Sequence, residues 1–238
     1  SSGADLNGQA VKNACDAIKE RLVPLAQKKL GTSGEITFEG GRVISREDPA
    51  KSVAFGELCS DAHVAQISLS ATGYYRTPGI AYDRAAGRGK PFYYFAYGAA
   101  VTEVEVDGYS GMKRVRRVDI LHDVGESLNP GVDRGQIEGA FVQGMGWLTG
   151  EELKWTADGR LTTHSASTYQ IPAIGDAPPD FRVRLLPRAA QDGVIHGSKA
   201  VGEPPLMLAI SVREAIRDAV AAFGAPGGEV PLASPATH

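Results

Sequence analysis

Cysteine is nearly missing from this chain of 238 residues; Cys15 and Cys59 are the only two. Neither belongs to a Cys-x-x-Cys pair, which argues against an iron–sulfur cluster or zinc site built by this chain alone. They read as small apolar side chains of a reduced, cytosolic protein. The five histidines, His63, His122, His164, His196 and His238, are scattered. No pair has the i,i+4 helix spacing of metal ligands, so a metal held directly by protein side chains is not expected. Excess charge is also lacking. Lys and Arg number 25 against 28 Asp and Glu, a net charge of -3, and this gives no electrostatic case for nucleic acid or an anionic membrane. No apolar run reaches transmembrane length, and the N-terminus has no basic-then-apolar signal pattern. Phosphate loops of the P-loop or dinucleotide type are absent, as are internal repeats and low-complexity linkers. The length allows one large domain or two small ones.

Glycine, by contrast, is plentiful: 29 residues, which implies many tight turns and close backbone approaches. The opening Ser1-Ser2-Gly3-Ala4-Asp5 has no initiator Met and leads almost at once into a helix, so a fragment or processed piece of something longer is expected.

Residues 11–30 read as an amphipathic helix with Val11, Ala14, Cys15, Ile18 and Leu22 on one face and Pro24 as a kink or stop. Gly40-Gly41 between 35–39 and 42–45 signals a two-residue hairpin. A short helix follows through Phe55 to Ser60, and Val64 to Ser70 alternates as a strand would. Residues 92–107 and 114–121 read as an antiparallel pair about the turn Gly108-Tyr109-Ser110-Gly111, and 76–90 as surface loop. A helix opens at Asn129-Pro130 and runs to about Leu148. It carries Gly139, Gly144 and Gly146, each worth roughly 1 kcal/mol against Ala, so tight packing is expected to compensate. Residues 152–155 and a return from Leu161 suggest a hairpin, 181–186 a further strand, and 206–223 a last helix. The tail from Gly224 to His238 reads as an irregular arm. With no regular βαβ rhythm, the expected class is α+β.

Three stretches could carry chemistry. Glu203 stands ahead of Pro204-Pro205, which stiffen the start of the last helix, and behind Gly202, which lets another group come close. It can be a carboxylate complementing the helix dipole or a rigidly held general base. Gln136 and Gln143, seven apart, share a helix face. They can be a polar edge or an amide presented to a heterocycle or phosphate across glycines. Glu138 reads as structural, paired with Arg134 at i,i+4. Ser1 and Ser2, with Gly3 before a helix, can be an anion nest or a frayed terminus.

Lys199-Ala200-Val201-Gly202-Glu203-Pro204-Pro205-Leu206 resembles the active-site loop of the xanthine dehydrogenase/oxidase family of molybdenum hydroxylases. The segment 135–144 resembles that family's pterin-contacting helix. Further similarity lies in Gly73 to Pro78, Tyr97 to Ala100, Asp123 to Pro130 and Ser167 to Pro172. The resemblance spans Ser1 to about Phe223. It implies that 1–223 are the C-terminal portion of the two-lobed molybdopterin-binding domain, in the large subunit, with 224–238 an arm.

It further implies Glu203 as catalytic base, and Gln136, Ser1, Ser2 and Gly202 as cofactor-binding residues. Molybdenum would be held through the pterin rather than by protein ligands. The implied reaction is hydroxylation of xanthine or hypoxanthine to urate, an oxygen derived from water attacking the purine while Glu203 takes a proton. Electrons would pass through [2Fe–2S] and FAD on other segments or subunits to NAD+. The implied partners are the remaining molybdenum-domain segment and the iron–sulfur/flavin part, in a dimer of heteromers, with neither nucleic acid nor membrane. Aldehyde or other N-heterocycle hydroxylases of the same superfamily share the Glu203 loop, and a non-catalytic assembly module is the alternative of another class.

Overall fold

Helix α1, Gln9–Leu30, continues from a π turn at Gly3–Gly8 and runs through Pro24 to a left-handed stop at Gly31 (φ 60°). These elements come from a computed structural model that describes residues 3–225 and 228–237. The described chain divides into two units, 3–93 and, from Tyr94 on, the rest of the described residues.

In the first unit, strands β1 (Ile36–Glu39), β2 (Arg42–Ser45) and β3 (Ser52–Ala54) form an antiparallel sheet in that order. Helix α2, Phe55–Val64, follows directly. Leu22 and Ala26 of α1 close on Val43, Val53, Leu58 and Ala62 as a small core. Only the C-terminal half of the predicted α1 face is buried: Val11 is 62% exposed and Cys15 is exposed too, so neither fills an apolar interior. Residues 65–70 are not a strand despite their alternation. Their carbonyls are taken up by a side chain instead, Arg21 donating to Ser68 O and Ser70 O at 2.8 and 2.9 Å. Gly73 presses on α1, where a Cβ would stand 1.8 Å from Ala10 O. The loop at 76–90 contains a small hairpin, β4 (Ala81–Asp83) with β5 (Arg88–Lys90).

The second unit is built on a three-stranded sheet, β6 (Gly98–Val106), β7 (Lys113–His122) and β8 (Asp180–Leu185). β6 and β7 pair antiparallel about a turn that Asp107 organises, its carboxylate accepting from Tyr109 N and Ser110 N. Residues 92–97 stay outside the strand. β8 pairs with β7 in parallel, a direction its alternation could not reveal. Parallel neighbours need a crossover, and helix α3, Pro130–Thr149, lies within it. Asn129 caps α3 by accepting from Gly131 N and Val132 N at 3.2 Å.

Ile137, Phe141 and Met145 of α3 meet Val118 and Ile120 of β7 and Val212 and Ile216 of the last helix, α4 (Ile210–Ala221). Phe141 and Phe181 stack tilted at 5.4 Å. The expected hairpin at 152–161 shrinks to one bridge, Trp155 to Leu161. Beyond Gly224 no helix or strand occurs among the described residues, yet the tail is held: Ala236 is buried and donates to Leu148 O at 2.7 Å. Mixed helices and sheets make the fold α+β.

The α3 glycines divide into two kinds. A Cβ at Gly144 would lie 2.4 Å from Leu206 O, and one at Gly146 would lie 2.4 Å from the Pro172 ring; at Gly135 and Gly139 it would meet nothing within 4 Å. Gly144→Ala should therefore lower stability by about 1–3 kcal/mol through overpacking, read from the urea midpoint. Gly139→Ala, in open space, should raise stability by about 1 kcal/mol or less.

His122 adds a pH term. It is 1% exposed, and its Nδ1 finds no hydrogen-bond partner among the described residues. Burial pushes its pKa below the ordinary imidazole value, with the Asp123 carboxylate partly opposing. The unfolded chain then binds this proton more readily, so the stabilisation is complete above about pH 6.5. It is lost progressively as pH falls below that. His122→Leu should flatten this part of the curve of stability against pH, measured by urea denaturation at a series of pH values.

Candidate functional site

Glu203 is exposed and occupies the residue before a 3-10 turn, Pro204–Ala209, that leads into α4. The expected smooth α-helical start does not form here. The two prolines stand where a helix start has no use for their N–H groups, and the chain becomes α-helical only from Ile210. The Glu203 side chain makes no capping hydrogen bond to this turn, which removes the plain capping role. Gly202 is half-buried and does not take a positive φ, so left-handed backbone is not what requires a glycine there.

Both flanks of Glu203 are anchored. Downstream, Pro205 is buried and the Leu206 carbonyl lies over Gly144 of α3. Upstream, Ser198 bridges Gly125, Lys199 N donates to Val124 O at 2.9 Å, and Glu126 N donates to Gly197 O at 2.8 Å. Gly125 allows this approach: its φ is +65° and a Cβ would fall 2.4 Å from Gly197 O. The Lys199 side chain is buried with Asp123. Its Nζ donates to Asp123 Oδ2 at 2.5 Å and to Phe95 O at 2.9 Å. The rings of Tyr94 and Tyr97 stand 5.9 and 5.6 Å from the same nitrogen. Ala200 N donates to the Tyr94 hydroxyl at 2.7 Å.

Lys199 and Asp123 lie in segments that carry the family resemblance, and the sequence alone gives neither a role. The available signal was a lone lysine among Ser198, Ala200 and Val201, where a charge inside a small apolar run calls for a buried partner.

Gln136 lies on the exposed face of α3 with Gly135, Gly139 and Gln143. That face offers two side-chain amides, Gln136 and Gln143, with space where Cβ atoms would stand at Gly135 and Gly139. Neutral donor–acceptor amides beside an open helix surface fit the edge of a polar heterocycle such as a pterin. The Gly144 contact brings α3 and the Glu203 turn together in one unit. Arg134 and Glu138 make no ion pair among the described residues, so the expected structural pair is not formed. Ser1 and Ser2 lie outside the described residues. A cavity of 2120 Å³ elsewhere in the unit is lined by Lys113, Met145, Tyr169 and Ile171 among others, and includes neither Glu203 nor Gln136. Among the described residues no group of three or more His, Cys, Asp or Glu is placed to hold a metal ion, and no helix is long and apolar enough to cross a membrane.

Comparison with known proteins gives this geometry a context. Xanthine dehydrogenase/oxidase of Mus musculus is 45% identical over 229 residues, which is 96% of this chain and 16% of that protein. Xanthine dehydrogenase of Oryza sativa subsp. japonica is 42% identical over the whole chain and 16% of its own length. The chain thus spans about a sixth of the curated relatives it matches. Among solved structures, quinoline 2-oxidoreductase from Pseudomonas putida 86 superposes with a TM-score of 0.71 at 27% identity, covering 87% of this chain and 26% of that one. The family model described as "Molybdopterin cofactor-binding domain" matches residues 1–178, which include the open amide face of α3. With three quarters of its length under that model, the chain belongs to the molybdopterin cofactor-binding domain family.

Proposed function

We propose that this chain supplies one wall of the cofactor site and the general base of a molybdenum hydroxylase acting on xanthine or hypoxanthine. The observation that carries the reading is the presentation of Glu203: an exposed carboxylate, not used as a helix cap, on a loop anchored on both flanks. The bound molybdenum–pterin group supplies the two-electron oxidation of a ring C–H to C–OH with water as the oxygen source. Glu203 accepts the proton released as the new C–O bond forms, which needs a carboxylate held in place rather than a mobile one. Gln136 takes the pterin's polar edge through its amide, and Gly202 leaves room beside the base. Ser1 and Ser2 are proposed as further cofactor-binding residues. The 1–223 segment is read as the C-terminal portion of the cofactor domain.

The electrons leave through [2Fe–2S] and FAD on other segments to NAD+. These segments, a purine and a second copy of the assembly are the proposed partners. Support for xanthine comes from relatives of that name at 40–46% identity across nearly the whole chain. The quinoline enzyme's name supports the second reading in its N-heterocycle form, because that protein shares the fold.

The deciding assay is xanthine-dependent NADH formation by the full assembly, with molybdenum quantified. Glu203→Ala should lower kcat by about 100- to 10,000-fold at unchanged molybdenum content. Near-parental turnover in that variant would remove Glu203 from the mechanism. A molybdenum-loaded parent inert to xanthine but active on quinoline or an aldehyde would move the substrate. A parent that carries no molybdenum would instead be an assembly module. Gln136→Ala should lower retained molybdenum, measured by metal analysis after gel filtration.

A further inference from the structure

The mechanism above leaves the most buried charges of the second unit unused. Lys199 is 8% exposed and Asp123 is 3% exposed. A buried ion pair adds little net stability, because desolvating both charges offsets their attraction, and apolar side chains of similar volume commonly do as well. What such a pair can supply is geometric definition. Here the contacts form a chain that runs from the exit of β7 to the residues just before Glu203. One oxygen of Asp123 accepts from Lys199 Nζ and the other from Gly125 N at 2.9 Å, while Asp123 N donates to Tyr97 O at 2.7 Å. The carboxylate is therefore fixed to the exit of β7. The ammonium, held additionally by Phe95 O, is fixed to the carboxylate. The next residue, Ala200, is fixed by the Tyr94 hydroxyl. Only Val201 and Gly202 then separate this clamp from Glu203.

We propose that Lys199 is a positioning residue: its ion pair with Asp123, together with the Tyr94 hydroxyl on Ala200, sets the upstream arm of the loop so that the Glu203 carboxylate is held where the proton must be taken. This rests on the reading of Glu203 as the base. The clamp touches neither substrate nor cofactor. It acts through the backbone between Lys199 and Glu203, and it should govern kcat rather than binding.

The experiment uses the full assembly with Lys199→Met, the double variant Lys199→Met/Asp123→Leu, and Tyr94→Phe. Four quantities are read: molybdenum content, thermal midpoint, kcat and KM for xanthine, and amide hydrogen exchange across 198–206. Lys199→Met leaves Asp123 buried without its partner. It should lower the midpoint and lower kcat about 100-fold, with KM within about twofold and molybdenum unchanged. The double variant removes the stranded charge. It should recover the midpoint but not kcat, and exchange across 198–206 should stay at least about fivefold faster than in the parent.

Recovery of kcat together with the midpoint would make the pair a fold-stabilising element only and overturn the proposal, as would parental kcat in Lys199→Met. Tyr94→Phe keeps the ring and removes the hydroxyl that accepts from Ala200 N–H; it decides the matter if a lysine variant fails to fold. Faster exchange with kcat down about tenfold at unchanged KM would support the clamp, and faster exchange with parental kcat would overturn it. A parent assembly with no molybdenum-dependent hydroxylation defeats the hydroxylase reading instead. Exchange then judges the clamp alone: acceleration confined to 198–206 sustains it, and unchanged exchange overturns it.

Discussion

At Gly144 the backbone of α3 lies against the Leu206 carbonyl, closer than any side chain could tolerate. The second unit depends on this approach. It sets the distance between the helix that crosses over from β7 to β8 and the 3-10 turn that opens α4. Through that distance it sets the downstream side of the Glu203 loop. A helix interior is an unfavourable place for glycine, yet here the missing methyl lets two elements share one layer of packing. Ala209, fully buried three residues on, continues the same small-residue contact.

The arrangement places an irregular segment between regular ones. Strand β7 ends at His122, and within four residues its continuation has paired with 197–199, which arrive from far along the chain. Loops are where reactive side chains are usually found, and their accuracy comes from the elements beneath them. In this chain the support is a crossover unit, β7–α3–β8, which carries Asp123 just beyond its first strand and the Gln136 amide on its helix. The anchor of the Glu203 loop and the proposed pterin contact therefore hang on one supersecondary block, and the residues linking them are buried hydrophobics such as Ile137 and Phe141.

Local patterns were legible in the sequence. The 3.6-residue rhythm of α1, the Gly40-Gly41 turn, the Asn129-Pro130 start of α3 and the β6–β7 hairpin all appear close to where the residues indicated. Features that depend on a distant partner were not legible. Alternation over 65–70 produced no strand because Arg21, 47 and 49 residues away, takes those carbonyls. The parallel direction of β8 and the pairing of Lys199 with Asp123, 76 residues apart, belong to topology rather than to spacing. Gly125 looked like one of many glycines, and only the fold shows that a passing backbone occupies the place of its side chain. For the candidate site, the motif identified Glu203 as the residue of interest. The reasons it can be held still came only with the three-dimensional neighbours.

The loop also behaves as a ruler. Five residues, Ala200 to Pro204, separate the buried lysine from the buried Pro205, and both ends are tied to different elements. Adding or deleting one residue between these ties would displace the carboxylate by about 3.5 Å, far beyond the roughly 0.5 Å that acid–base geometry tolerates. Length variation is therefore closed to this segment. If Glu203 is the base proposed above, divergence toward new substrates would be written in side chains elsewhere on the walls of the site, while the span from Lys199 to Pro205 keeps its register.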